Sequence, residues 1–93
     1  MMGLLTFHLR LPGCTSLKEK RSRLKPLLHR LHCEFNISVA EMGFQDSRMD
    51  AVISCGMVGN DPAHLQSALE TVSKWTTANW PDGEVVDRKM EII

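Results

Sequence analysis

Apolar and polar residues alternate across residues 3–11, GLLTFHLRL, and this period of two constrains the fold more than any other feature of the chain. It predicts a first strand in a sheet that buries one face and leaves the other open to water. Pro12 and Gly13 follow and end the strand. The face expected to be buried carries Leu5, Phe7, Leu9 and Leu11. The open face carries Leu4, Thr6, His8 and Arg10.

After Ser16 the apolar spacing changes to 3.6 residues, which predicts a first helix running to about Glu34. Ser16 and Glu19 have the spacing of a capping box, in which each side chain accepts a hydrogen bond from the other residue's backbone N–H. Pro26 lies inside this helix, nearly opposite its apolar stripe, so we expect a kink that bends the helix around the core. We expect Asn36 to take the left-handed conformation that closes the helix. The stripe consists of Leu17, Leu24, Leu27, Leu28, Leu31 and Phe35.

A second helix is predicted after the sequence GNDP, with Asn60 or Asp61 as the N-cap and Pro62 at the first helical position. Its apolar residues recur at helical spacing, and it should end near Ala78. Turn-forming residues separate the remaining apolar segments, which are rich in β-branched side chains. Those segments predict three more strands, at residues 37–42, 49–58 and 84–92, with turns at 43–48 and in the loop NWPDG.

The resulting order is β-α-β-β-α-β, in which two split β-α-β halves form one sheet. We therefore predict an α+β ferredoxin-like fold, a four-stranded antiparallel sheet with both helices on one face. A length of 93 residues corresponds to a single domain, residues 1–93.

The composition favours a cytoplasmic protein without a membrane segment. No apolar run approaches the roughly 20 residues that span a bilayer. The start of the chain, MMGLLTFHLRLPG, is typical of a strand rather than a signal peptide. Cys14, Cys33 and Cys55 are odd in number and contain no CxxC pair, so we expect three reduced cysteines rather than a disulfide or zinc framework.

The net charge of zero conceals a strong asymmetry between one segment and the rest of the chain. Residues 16–32 contain six basic residues and one acidic residue. The remaining residues contain five basic residues and ten acidic ones. The molecule is therefore electrically polar, and its positive pole is the first predicted helix.

Several functions that this fold supports lack their residues here. Acylphosphatases of this fold need a phosphate-cradling loop after the first strand, and the loop PGCTSLK lacks a Gly-rich nest. RNA-recognition motifs stack bases on aromatic residues, and the segment MDAVISCGMV contains none. His29 and His32 have legal ligand spacing, but no third ligand is evident, so we expect no metal and no cofactor. No nucleophile, base and orienting residue can be assembled, so we expect no enzymatic activity.

The basic helix is the remaining candidate. Its cations lie at the N-terminal end of the helix dipole, which disfavours each by about 0.3–1 kcal/mol, and they lack acidic partners at i, i+4 spacing. A solvated helix face is the alternative, but these two costs favour an anionic partner, either RNA phosphates or an acidic protein surface. We expect Lys20 and Arg21 to flank the apolar stripe with their charges reaching water. The candidate binding residues are Lys18, Lys20, Arg21, Arg23, Lys25 and Arg30.

Two other hypotheses remain open. In the first, the open sheet face pairs two subunits in a homodimer through Leu4, Thr6, His8 and Arg10. In the second, weaker hypothesis, an enzyme acts near Glu41, Gln45 and Asp46, although polar residues are also typical of a solvated turn.

Three segments resemble the YlxP-like family of small bacterial proteins, known as domain of unknown function 503: LRLPGCTSLKEKRSRLKPLLHRL, FNISVAEMGFQD and GNDPAHLQSALE. The resemblance implies a ferredoxin-like fold. Genes of this family often lie beside those of a translation initiation factor and a ribosome-binding factor, which implies a role near ribosomes or RNA. It implies no catalytic residues, since none are established for the family. The sequence departs from the family pattern at Pro26 and in GNDP.

Overall fold

A computed structural model describes all residues of the chain, 1–93. The predicted order β-α-β-β-α-β is confirmed. The alternating segment and the segments after the turns form strands, and the two segments of 3.6-residue period form helices. The elements are β1 (Met2–Arg10), α1 (Leu17–Glu34), β2 (Ser38–Gly43), β3 (Asp50–Val58), α2 (Pro62–Asn79) and β4 (Glu84–Ile92).

The four strands form one antiparallel sheet in the order β2-β3-β1-β4, as the ferredoxin-like prediction requires. The central strand β1 pairs with two neighbours, so that Leu5 lies opposite Cys55 of β3 and Met90 of β4. The strands β2 and β4 are the edges of the sheet. The pairing of β2 with β3 shifts by one residue between Glu41 and Gly43, which is an irregularity typical of edge strands.

The core lies between the sheet and the two helices. The predicted inward side chains of β1 are fully buried, and α1 contributes Leu24, Leu27 and Leu31 to the same cluster. Leu69 and Val72 of α2 complete the cluster from the second helix. Both helices therefore cover one face of the sheet, and the face of Leu4, Thr6, His8 and Arg10 is left open.

The N-terminus of α1 begins as predicted, but its capping bonds differ in one partner. The Ser16 side chain accepts a hydrogen bond from the Glu19 N–H at 3.0 Å. The Glu19 carboxylate accepts from the Thr15 N–H at 2.6 Å instead of from Ser16. The Thr15 hydroxyl also donates to this carboxylate, at 3.3 Å. The bond from the Thr15 backbone N–H is the main cause that lowers the pKa of Glu19 below its usual value.

The C-terminus of α1 contradicts the prediction for Asn36. The helix ends at an extended Phe35, whose N–H donates to the Leu31 carbonyl, and the residue that follows has no positive φ. Ile37 is buried immediately afterwards, so the chain enters β2 without the reversal that a left-handed residue produces.

Pro26 lies inside α1 with its side chain exposed, which confirms its predicted position on the outer side of the helix.

The second helix begins at Pro62, and the Asp61 side chain caps it by accepting from the Ala63 N–H at 3.0 Å. It ends at Asn79, one residue beyond the predicted end. Neither helix is long and apolar enough to cross a membrane.

Candidate functional site

The structure divides the six cations of α1 into two groups of three. Lys18, Arg21 and Lys25 are exposed, and none of them forms an ion pair within the chain. Their spacing of i, i+3 and i+7 places them along one side of the helix. We call these three residues the cation stripe. The continuation of this side carries Ser22 and His29, which together with Lys25 and Pro26 line a shallow depression.

Lys20 does not have the exposed charge that the sequence predicts. Only 1% of the residue is exposed, although it is charged. Its ammonium group donates to the Phe44 carbonyl at 2.7 Å and to the Ser47 carbonyl at 2.8 Å. Its Nζ also lies 2.9 Å from Oε2 of Glu41. The prediction that this charge reaches water is wrong because the β2–β3 loop folds over the side chain, so Lys20 is not accessible to a phosphate.

The backbone of the β2–β3 loop explains how the Lys20 contacts arise. Phe44 has a φ of 55°, in the left-handed region that non-glycine residues seldom occupy. The Ser47 N–H donates to the Phe44 carbonyl at 2.9 Å, and that same carbonyl accepts from Lys20. Two carbonyls of one tight turn therefore converge on a single ammonium group.

Arg23 and Arg30 form contacts that tie α1 to α2 and to the connection between α2 and β4. The guanidinium of Arg23 donates to the carbonyl of Asp82 and, at 3.4 Å, to that of Pro12. Arg30 donates to the Asn79 carbonyl at 3.2 Å, and its guanidinium lies 5.0 Å from the ring centroid of Trp75. These two side chains are thereby held in place on a different side of α1 from the cation stripe.

A notch of about 190 Å³ separates α1 from the edge strand β2, directly beside the cation stripe. Its helix side carries both apolar and basic groups, and its strand side carries a carboxylate. The lining residues are Arg21, Leu24, Lys25, Leu28 and Glu41.

The polar residues near the end of β2 do not form a compact group. Glu41 points toward the helix side of the sheet. Its Oε2 is buried and faces the ammonium group of Lys20, but no hydrogen-bond donor is aligned with it. Gln45 contacts only the backbone carbonyl of Glu41, at 3.4 Å. Asp46 is exposed on the loop. The partner that the structure brings to Glu41 is therefore a lysine rather than the neighbouring polar residues.

The open sheet face contains a polar network that the sequence did not indicate. His8 Nε2 lies 2.8 Å from Oδ1 of Asp50, and Arg10 Nε lies 3.5 Å from the same oxygen. These contacts, the hydrogen bond from His8 foremost, lower the pKa of Asp50 below its usual value. Thr6 lies 3.3 Å from the Ser54 hydroxyl. The register of β1 against β3 brings these side chains together. The sequence alone does not give that register, so it cannot reveal the contacts.

An aromatic residue and three apolar residues also lie on or beside this face. The Phe44 ring stacks on His8 with 5.1 Å between centroids. Met42 and Phe44 are 63% and 51% exposed. Leu4 and Val52 are half-buried nearby.

The histidines of α1 do not assemble a metal centre of three or more ligands. The His29 ring contacts Cys33 rather than His32, with 3.6 Å between Nε2 and Sγ. Cys14, in the loop before α1, and Cys55 of β3 are both buried and form no disulfide.

Comparison with known proteins supports the resemblance found in the sequence. Residues 2–90 match the family described as "Protein of unknown function (DUF503)". A curated relative, "Uncharacterized protein YlxP" of Bacillus subtilis (strain 168), is 35% identical over 57 residues. That alignment covers 61% of this chain and 62% of the relative's length. The predicted YlxP-like membership is thus confirmed, and neither description gives an activity.

Proposed function

The chain belongs to the DUF503 family of proteins of unknown function, and from this premise we propose that it is a non-enzymatic cytoplasmic module that binds RNA, ribosomal RNA included. The binding surface is the exposed side of α1. The observation that supports this proposal is the cation stripe of Lys18, Arg21 and Lys25, which is exposed and unpaired in a chain of zero net charge.

The contrast within α1 strengthens the proposal. Lys20, Arg23 and Arg30 have intramolecular partners, so the fold itself accounts for them. The cation stripe has no such partner and lies on a helix whose first turns disfavour positive charge. Exposed lysine and arginine side chains along one helix side supply the sequence-independent phosphate affinity of nucleic-acid-binding proteins.

RNA is a better partner for this surface than an acidic protein. An RNA strand carries a phosphate at every nucleotide, so consecutive phosphates of one strand can contact the cations on successive turns of α1. An acidic protein would need a fold that places its carboxylates at the same spacing. The notch beside the stripe has apolar walls, which suit a base better than a carboxylate side chain. An acidic protein partner stays an outcome that the experiment below can reveal.

The test compares two double variants with equal loss of charge. Lys18→Gln with Lys25→Gln removes two cations of the stripe, and Lys74→Gln with Lys89→Gln removes two exposed cations from α2 and β4. Fluorescence anisotropy with a single-stranded RNA is measured from 50 to 200 mM salt. We expect the first variant to bind more weakly and its salt slope to fall by about 1.4, since each phosphate contact contributes about 0.7.

The matched variant should retain the wild-type affinity and slope. Equal weakening of both variants would show a general charge effect without a binding site on α1. A wild-type protein that binds no RNA at 50 mM salt would refute the proposal.

A second candidate function is self-association through the open sheet face, favoured by the exposure of Met42 and Phe44 beside the residues predicted for the interface. That interface consists of Leu4, Thr6, His8 and Arg10, which all lie on this face. Light scattering at tens of micromolar tests it. A dimer that Met42→Glu dissociates would support this function, and a monomer would contradict it.

A further inference from the structure

The notch between α1 and β2 contains groups that phosphate binding does not use. Phosphate binding does not require the apolar walls of Leu24 and Leu28, and a carboxylate repels phosphate. Glu41 nevertheless lines the notch opposite Arg21 and Lys25. A ligand that suits all these groups needs an apolar body, hydrogen-bond donors on one side and acceptors on the other.

Guanine has this distribution of groups. Its N1–H and N2 amino group are adjacent donors from which a carboxylate can accept hydrogen bonds. Its O6 and N7 are the acceptors that arginine or lysine contacts most often. Uracil lacks the amino group and has no comparable pair of adjacent donors. The Watson–Crick edge of guanine is free only where the base is unpaired, as in a single strand or loop.

Lys20 fixes the carboxylate that would read the base. Its Nζ lies 2.9 Å from Glu41 Oε2, and its other donors are held by the Phe44 and Ser47 carbonyls. The ammonium is thus anchored at three points, and the carboxylate beside it is restrained. A recognition group that is already ordered before binding loses less conformational entropy on binding. Because Lys20 is buried, its positive charge restrains Glu41 without being exposed at the rim of the notch.

We propose that the notch binds an unpaired guanine of single-stranded RNA. Oε1 of Glu41 accepts from N1–H and the N2 amino group, since Oε2 is buried against Lys20. Arg21 or Lys25 donates to O6 and N7. This inference rests on the proposed RNA-binding function and names the part of the RNA that the protein selects. Phosphates on either side of the guanine reach the cation stripe, which joins the two surfaces in one binding site.

The experiment varies both the RNA and the protein. Three 12-nucleotide RNAs are compared at fixed salt: all uridine, the same strand with one central guanosine, and the same strand with inosine in its place. Inosine retains N1–H and O6 but lacks the N2 amino group. We expect the guanosine strand to bind at least about fivefold more tightly than the uridine strand, as one bidentate base contact provides. The inosine strand should lose most of this gain.

Two variants assign the preference to the notch. Glu41→Gln should remove the guanosine preference, so that the variant binds the guanosine and uridine strands with equal affinity. Asp46→Asn removes the same charge from an exposed loop position and should keep the preference. Lys18→Gln should weaken binding to all three strands by a similar factor.

The outcomes separate the two proposals. Equal wild-type affinity for the three strands would overturn the guanine inference and leave RNA binding intact. Binding to none of them would overturn both. The inosine comparison uses the unaltered protein, so it decides the matter even where Glu41→Gln disturbs folding.

Discussion

Lys20 Nζ and Glu41 Oε2 lie 2.9 Å apart. This ion pair joins the buried lysine of α1 to the edge strand β2. The same ammonium group donates to two carbonyls of the β2–β3 loop. A single side chain therefore joins the first helix, the edge strand and the loop that follows it. This arrangement makes Lys20 a determinant of the local fold.

Replacing Lys20 with methionine should destabilise the protein by about 3 kcal/mol. The substitution keeps the apolar stem but leaves the Glu41 carboxylate without its ion-pair partner and two carbonyls without their donor. Breaking a buried ion pair costs about 3–5 kcal/mol, and the lower end applies because Glu41 is partly exposed. Urea unfolding measures the change. Lys18→Met, at an exposed position of the same helix, should stay within about 0.5 kcal/mol of the wild type, and a similar small change for Lys20→Met would contradict the role of the pair.

The sequence predicts the fold well because its signals are local. The alternation in β1 identifies the inward face, and Asp61 with Pro62 marks the start of α2 before any contact between elements is known. The C-terminus of α1 is where local reasoning fails, since the burial of Ile37 decides the path of the chain there. Asn36 has the propensity for a left-handed turn, but tertiary packing overrides it.

The candidate site is only partly predictable from the sequence, because a helical wheel gives the direction of a side chain and not what it meets. The carbonyls that bind Lys20, Arg23 and Arg30 belong to loops and a helix end distant in the chain. The six basic residues therefore look alike in the sequence, although in the structure three of them bind carbonyls of the same chain and three do not. The sequence did contain one usable signal, since Lys20 falls between Leu17 and Leu24 at helical spacing on the apolar stripe.

The three cysteines should differ sharply in reactivity. Cys33 is exposed on α1, whereas Cys14 and Cys55 are buried. Burial raises the pKa of the Cys55 thiol to about 12, so it remains a thiol and a poor nucleophile at neutral pH. We expect a thiol-reactive chromophore to label one cysteine rapidly in the native protein and the others only after unfolding. The Cys33→Ser variant should lose the rapid phase, and rapid labelling that persists in this variant would refute the assignment.

Asp50 should contribute to stability at neutral pH and lose that contribution in acid. Its contacts with His8 and Arg10 hold its pKa below the usual value of 3.8 in the folded state. A carboxylate with a lowered pKa stabilises the fold above the unfolded value and ceases to do so as the pH falls through the folded value. Urea unfolding between pH 7 and pH 2 should therefore show a decline beginning near pH 4. Asp50→Asn should reduce this decline, while Asp46→Asn, which removes an exposed carboxylate without an ion pair, should leave it unchanged.

Pro26 offers a test of how the first helix tolerates a proline in its interior. A proline inside a helix costs about 3 kcal/mol relative to alanine, because it removes one backbone hydrogen bond and crowds the preceding turn. It also restricts the unfolded chain, which offsets the cost by about 0.4–1 kcal/mol. Pro26→Ala should therefore stabilise the protein by about 2 kcal/mol in urea unfolding, with an unchanged m-value. Its RNA affinity should match the wild type, since the cation stripe is retained. A loss of stability would instead show that the core requires a kink at this position.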